Sequence, residues 1–138
     1  MVQDGVAWFG ATTTKTVTVT GTLRNSQVTS SNFPTSMSAG QTYSVSIRMK
    51  NMGTTTWTSS NSYRLGAVGD SRGDAIEFGP GRIGIPAGTT VAPGQEHTFT
   101  FTITAPVPGT YNPSYRMVQD GVAWFGATST KTVSVTEV

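Results

Sequence analysis

Two stretches of this chain alternate cleanly between apolar and polar residues. Tyr43, Val45, Ile47 and Met49 fall on one side, with Ser44, Ser46, Arg48 and Lys50 on the other. His97, Phe99, Phe101 and Ile103 alternate in the same way with Thr98, Thr100 and Thr102. A period of two marks a strand with one buried face. Shorter runs predict further strands at about 28–33, 54–57, 63–65, 82–85, 111–119 and 122–125, with Val133 and Val135 in a final one. Turn residues separate them. Asn51-Met52-Gly53 closes one strand, Pro106-Val107-Pro108-Gly109 another, and Asp120-Gly121 reads as a two-residue type I′ hairpin. Residues 66–81 form a Gly- and Asp-rich excursion, 86–94 a loop, and 21–27 together with 34–41 a broken, linker-like stretch. The sum is an all-β fold, an immunoglobulin-like antiparallel β-sandwich of about seven or more strands.

The apolar pattern also repeats. Residues 1–20 read MVQDGVAWFGATTTKTVTVT and residues 117–136 read MVQDGVAWFGATSTKTVSVT. The two differ only as Thr13 against Ser129 and Thr18 against Ser134, at an offset of 116 residues. That offset is the length of one sandwich domain with its linker, the mark of a tandem array. On this reading residues 1–20 are the terminal strands of a preceding repeat, and 21–138 are one complete repeat. A partial duplication within a single-domain gene is the alternative, and it leaves residues 1–20 equally redundant. Their apolar set, Val2, Val6, Trp8, Phe9, Val17 and Val19, matches the set that residues 118–135 use to complete the sandwich. Such a segment is an unpaired strand able to pair with or displace its counterpart in another chain. Strand-exchange association with neighbouring copies of the same domain is therefore expected.

Composition narrows the functions. The chain has 138 residues, and 12% are charged, about half the usual share of a soluble domain. Nine basic residues stand singly and the net charge is +2, so no basic tract tracks a phosphate backbone and no nucleic-acid partner is expected. Nothing reaches the length of a membrane span. There are no cysteines, which removes disulfides, thiolate metal sites and thiol nucleophiles. No apolar leader occurs in residues 1–20, so a secretion signal, if the parent is secreted, lies upstream.

Several motifs together carry a family resemblance. They are Lys50-Asn51-Met52-Gly53-Thr54-Thr55-Thr56-Trp57, Tyr63-Arg64-Leu65-Gly66, Val91-Ala92-Pro93-Gly94-Gln95, Phe101-Thr102-Ile103-Thr104-Ala105-Pro106, Pro108-Gly109-Thr110-Tyr111, and the closing run from Tyr115 to Gly126. Taken in order over about residues 26–136, they resemble the four-tryptophan (FW) Ig-like domain, first described in a selective autophagy cargo receptor. The likeness is closest to bacterial copies in secreted multidomain proteins, which often stand beside glycoside hydrolases. Trp57 is kept, but Ile47 and Tyr115 stand where that family commonly carries Trp. The resemblance implies a sandwich fold and an extracellular or cell-surface setting, with no reaction and no cofactor.

Candidate chemistry is sparse. His97 is the one histidine, and a triad or an imidazole metal site would need partners that its strand does not supply. Asp70, Asp74 and Glu77 share one loop and are weak candidates for a Ca²⁺ site, although the spacing is not that of an EF-hand. Arg72-Gly73-Asp74 spells a tripeptide that integrins read on exposed loops, in a setting where three common turn residues coincide easily. Trp57, Tyr63, Tyr111, Tyr115 and Trp124 could form a platform for stacking sugar rings, with core packing the commoner role of such residues. The expectation is a non-catalytic structural or spacer module. An accessory carbohydrate-binding module is the alternative, with polysaccharide as its partner.

Overall fold

A computed structural model of the chain describes residues 23–69 and 73–137. These form twelve strands: β1 (Ser26–Ser31), β2 (Ser36–Ser38), β3 (Thr42–Asn51), β4 (Trp57–Thr58), β5 (Tyr63–Ala67), β6 (Arg82–Gly84), β7 (Thr90–Val91), β8 (Glu96–Thr104), β9 (Gly109–Tyr111), β10 (Ser114–Gln119), β11 (Ala123–Thr130) and β12 (Val133–Thr136). Among the described residues a 3-10 turn spans Asp74–Phe78.

The two alternating runs are neighbours. β3 pairs antiparallel with β8 from Thr42↔Thr104 to Lys50↔Glu96, and β1 flanks β3 on the other side. The period of two turns Val45, Ile47 and Met49 inward together with Phe99, Phe101 and Ile103, all buried. Facing them is the sheet β11-β10-β5-β6, which contributes Leu65, Tyr115, Met117 and Phe125. An aromatic contact locks the two layers, Phe101 meeting Tyr115 at 5.3 Å between centroids, and Trp57 of β4 packs on Phe125 at 6.0 Å. A third, short sheet β9-β12-β2 closes one side with Met37, Val133 and Val135 buried, and β4 pairs with β7. The fold is an all-β Ig-like sandwich, as the alternation predicts.

Three features of the chain depart from the sequence pattern. The Asp120-Gly121 turn is not type I′. Gln119 faces Ala123, so three residues form the loop, and only Gly121 (φ +81°) has a positive φ, the arrangement of a type II turn. The run 111–119 is two strands in different sheets, because Asn112-Pro113 interrupts it. The stretch 34–41 holds β2, which lies parallel to β12 with Val135 opposite Met37.

Buried Asn51 fastens the end of β3. Its Nδ2 donates to the carbonyls of Thr55 and Val91, both at 2.8 Å, and its Oδ1 accepts from Gly53 N at 3.0 Å. A buried amide is tolerable only when its donors and acceptor are all used in this way. The chain enters beside it, since Asn25 O accepts from Met52 N, and Leu23 O accepts from the amides of Thr54 and Thr55. It leaves at the other end of β3, where Thr136 O accepts from Ala39 N and Gln41 O from Ala105 N. Entrance and exit thus stand at opposite poles of a ten-residue strand, about 30 Å apart at ~3.3 Å per residue.

Candidate functional site

Of the five candidate stacking aromatics, the fold takes three inside. Trp57, Tyr63 and Tyr115 are buried, because each stands on an inward position of its strand. Tyr63 sets its ring edge-on to Phe125 at 6.0 Å and pairs its hydroxyl with Thr55 Oγ1 at 3.0 Å. Tyr115 packs between Phe33 and Phe101. Burial pushes its hydroxyl far above the usual phenol range. These three cannot form a coplanar strip on the surface. Tyr111 is half-buried, edge-on to Phe78 at 5.5 Å, and its hydroxyl donates to Val107 O at 2.6 Å. It lies in the short third sheet, away from Trp124 on the edge strand β11.

Trp124 is the one candidate on an open face. It is half-buried on β11, opposite Val118 of β10. Its ring lies along the sheet over Gly66, where any β-carbon would stand 2.8 Å from Cη2, so only glycine at 66 admits the ring. The Arg82 guanidinium covers the indole with Cζ 4.7 Å from the centroid, a cation–π contact. Asp120 holds that arginine in place: Arg82 Nε donates to Oδ1 at 3.0 Å and Arg64 Nη1 donates to Oδ2 at 2.6 Å. Partial burial raises the Asp120 pKa, but the hydrogen bonds and charges of the two arginines outweigh it, and the carboxyl titrates below its ordinary value of 3.8.

Trp124 also divides two surface grooves. One, about 530 Å³, runs past Arg24, Arg116 and Phe125. The other, about 230 Å³, runs past Arg82, Gln119 and Val122. Their polar groups are largely committed: Arg24 Nε donates to Gln119 Oε1 at 2.7 Å, and Arg116 Nε donates to Gly126 O at 2.9 Å. The face offers an indole edge and guanidinium donors, with one carboxylate already neutralised. Sequence reasoning singled out Trp124 but missed Arg64, Arg82 and Asp120. The Asp120-Gly121 turn motif was the signal available, since it fixes where that carboxylate projects.

The remaining candidates stay apart. His97 stands on β8 in the other layer, half-buried, with its ring edge-on to Phe99 at 4.7 Å and its pKa lowered by burial. Asp74 accepts a hydrogen bond from Asn112 N at 2.7 Å, and Glu77 is exposed on the same 3-10 turn. Asp70 and Arg72 lie outside the described residues, as do Val2, Val6, Trp8, Phe9, Val17 and Val19. Among the described residues no group of three His, Asp or Glu side chains could hold a metal ion, and no helix is long and apolar enough to cross a membrane. Ile47 is fully buried, on the inward face that its alternation predicts.

An Ig-like β-sandwich module with a basic, Trp-centred outer face is the class these observations define. The family model described as "Ig-like domain from next to BRCA1 gene" matches residues 30–135, and the chain belongs to that family. Solved structures share the fold at low identity. The CARDB domain of a Pyrococcus furiosus protein, determined in solution, superposes with a TM-score of 0.55 at 14% identity, over 83% of this chain and 96% of that one. A crystal structure of the same domain in complex with di-metal ions gives 0.51 at 15% identity, over 88% and 100%. Part of Escherichia coli alpha-2-macroglobulin gives 0.51 at 17% identity, over 85% of this chain and 17% of that one. No match was found among curated protein sequences.

Proposed function

We propose that this chain is a non-catalytic structural module from a tandem array in a secreted or surface-attached bacterial protein, where it sets the spacing of neighbouring domains. One observation carries the reading. The sequence of residues 1–20 matches that of the end of β10 through β12 at all but two positions, and it precedes residue 21 as the closing strands of a preceding module would. The Ig-like sandwich supports the structural role, since its aromatics are spent on packing. Reading the parent gene upstream of residue 1 tests it: a sequence like residues 21–116 is expected there, and its absence would leave partial duplication as the account.

In the isolated chain, residues 1–20 act as a spare closing segment and mediate strand exchange. Their counterparts Val118, Phe125, Val133 and Val135 are buried, so the copy carries the side chains needed to take their places. Val122, the counterpart of Val6, is 56% exposed and contributes nothing to that exchange. Residues 117–136 hold the advantage of a short tether to β10, which raises their effective concentration. Light scattering across a concentration series should show association that a chain lacking residues 1–20 does not. Equal monomers at millimolar concentration would overturn the exchange.

The grooves flanking Trp124 favour a second reading, an accessory carbohydrate-binding module. Its signature is retention on insoluble cellulose, chitin or xylan that a folded Trp124→Ala variant loses. Without that retention the spacer reading stands alone.

A further inference from the structure

Four large apolar side chains are exposed among the described residues: Leu23 (56%), Met52 (46%), Val122 (56%) and Val107 (72%). Scattered singly, such residues need no explanation. These are not scattered. Leu23, Met52 and Val122 share the pole where the chain enters. Leu23 O receives the Thr54 and Thr55 amides, Met52 N donates to Asn25 O, and Val122 N donates to the carbonyl of Gln119, whose side chain is bonded to Arg24. Val107 stands at the pole where the chain leaves, between Ala105, which is bonded to Gln41, and Gly109, which pairs with Val135 beside the end of β12. Among the described residues the long sides of the sandwich carry none.

The repeat sets how close two such poles must come. Thr20 corresponds to Thr136, the last residue of β12, and Leu23 is already hydrogen-bonded to the following module. Only Gly21 and Thr22 stand between. Three Cα steps span at most about 11 Å even when fully extended, roughly one layer of side chains from each module. The exit pole of one repeat is therefore held against the entrance pole of the next.

We propose that the occupant of the Leu23, Met52 and Val122 patch is the preceding repeat, docked through its Val107 turn, so that the array is a stiffened rod and not a string of independently tumbling beads. This rests on the tandem-array reading. Tethering by two residues keeps the poles at high effective concentration, so a contact too small to hold free modules together suffices.

A chain of two repeats, residues 21–136 joined directly to 21–138, tests it by residual dipolar couplings. Both repeats should report one alignment tensor, and that shared tensor should be lost with Val107→Asp in the first repeat or with Leu23→Ser and Met52→Thr in the second. All three positions are exposed, and single repeats carrying the substitutions should melt as the parent does; should either fail to fold, Val122→Ser in the second repeat replaces it. Two independent tensors in the parent chain would overturn the docking, and so would a shared tensor that survives the substitutions, since stiffness would then come from the linker. The array reading fails separately, if the parent gene carries no repeat upstream of residue 1.

Discussion

Tyr115 sits between Phe33 and Phe101 with its hydroxyl buried, and that oxygen finds no hydrogen-bond partner among the described residues. An unsatisfied buried hydroxyl carries a desolvation cost of about 1–3 kcal/mol. Tyr115→Phe keeps the ring and removes the oxygen, so denaturant unfolding should show equal or greater stability, by up to ~1 kcal/mol. Tyr115→Ala should lose about 3–5 kcal/mol through the cavity it leaves. Asp120 poses the opposite case. Its folded pKa is depressed by Arg64 and Arg82, so its contribution is present above the unfolded pKa near 4 and is lost as pH falls through the lower folded value. Its partners are partly exposed and screened, which limits the effect to about 1 kcal/mol. Asp120→Asn should be less stable than the parent at pH 7, and paired urea titrations should show the difference shrinking as acid protonates the carboxylate.

Strands differ in how plainly they can be read. β3 and β8 are legible because their alternation runs for ten and nine residues, and each period-two step agrees with a buried partner across the ladder. β2, β7 and β9 are two or three residues long. They exist because of distant partners, such as Val135 opposite Met37, and carry too few residues to show a period. The choice between an aromatic platform and core packing was open in the sequence for a related reason: alternation assigns a side chain to a face, but which face is covered depends on the second sheet. β11 carries its own irregularity. Arg116 faces Thr128, whereas Met117 faces Phe125, leaving Gly126 and Ala127 without partners in β10. Gly126 has φ +77°, and a β-carbon there would stand 2.5 Å from the backbone nitrogen of Ser26. Gly126→Ala should cost at least ~2 kcal/mol, from the left-handed backbone and the clash together. Gly84→Ala is the control: no atom lies within 4 Å of a β-carbon there, its φ is not positive, and the strand should gain about 0.5 kcal/mol.

At the scale of the whole molecule, cohesion comes from one continuous apolar core between the sheets, with Asn51 the buried polar hub at one end. Thermal melts with and without excess EDTA should therefore superimpose. A fall of many degrees in chelator would place a stabilising cation at the loop that carries Asp74 and Glu77. The sandwich was legible in the sequence as a whole. The Arg64, Asp120, Arg82 and Trp124 arrangement was not, because its members come from four separate strands and turns that only the sheet brings together.

The parallel pairing of β2 with β12 has a mechanical consequence. β2 is joined to the entrance of the module and β12 to its exit, and both run toward the exit pole. Tension applied between the entrance and the exit drags β2 backward and β12 forward, so Ser36, Met37 and Ser38 slide against Ser134, Val135 and Thr136. The load falls in shear on the whole ladder at once, together with the flanking bonds from Ser134 N to Thr35 O and from Ala39 N to Thr136 O. Bonds stressed in parallel yield together, whereas a hairpin pulled from its open end unzips one pair at a time. An engineered array pulled in an optical trap should then extend in discrete steps of one module each, at a rupture force that falls with Ala39→Pro, which removes the N–H that Thr136 O accepts, and the last module to let go is as strong as the first.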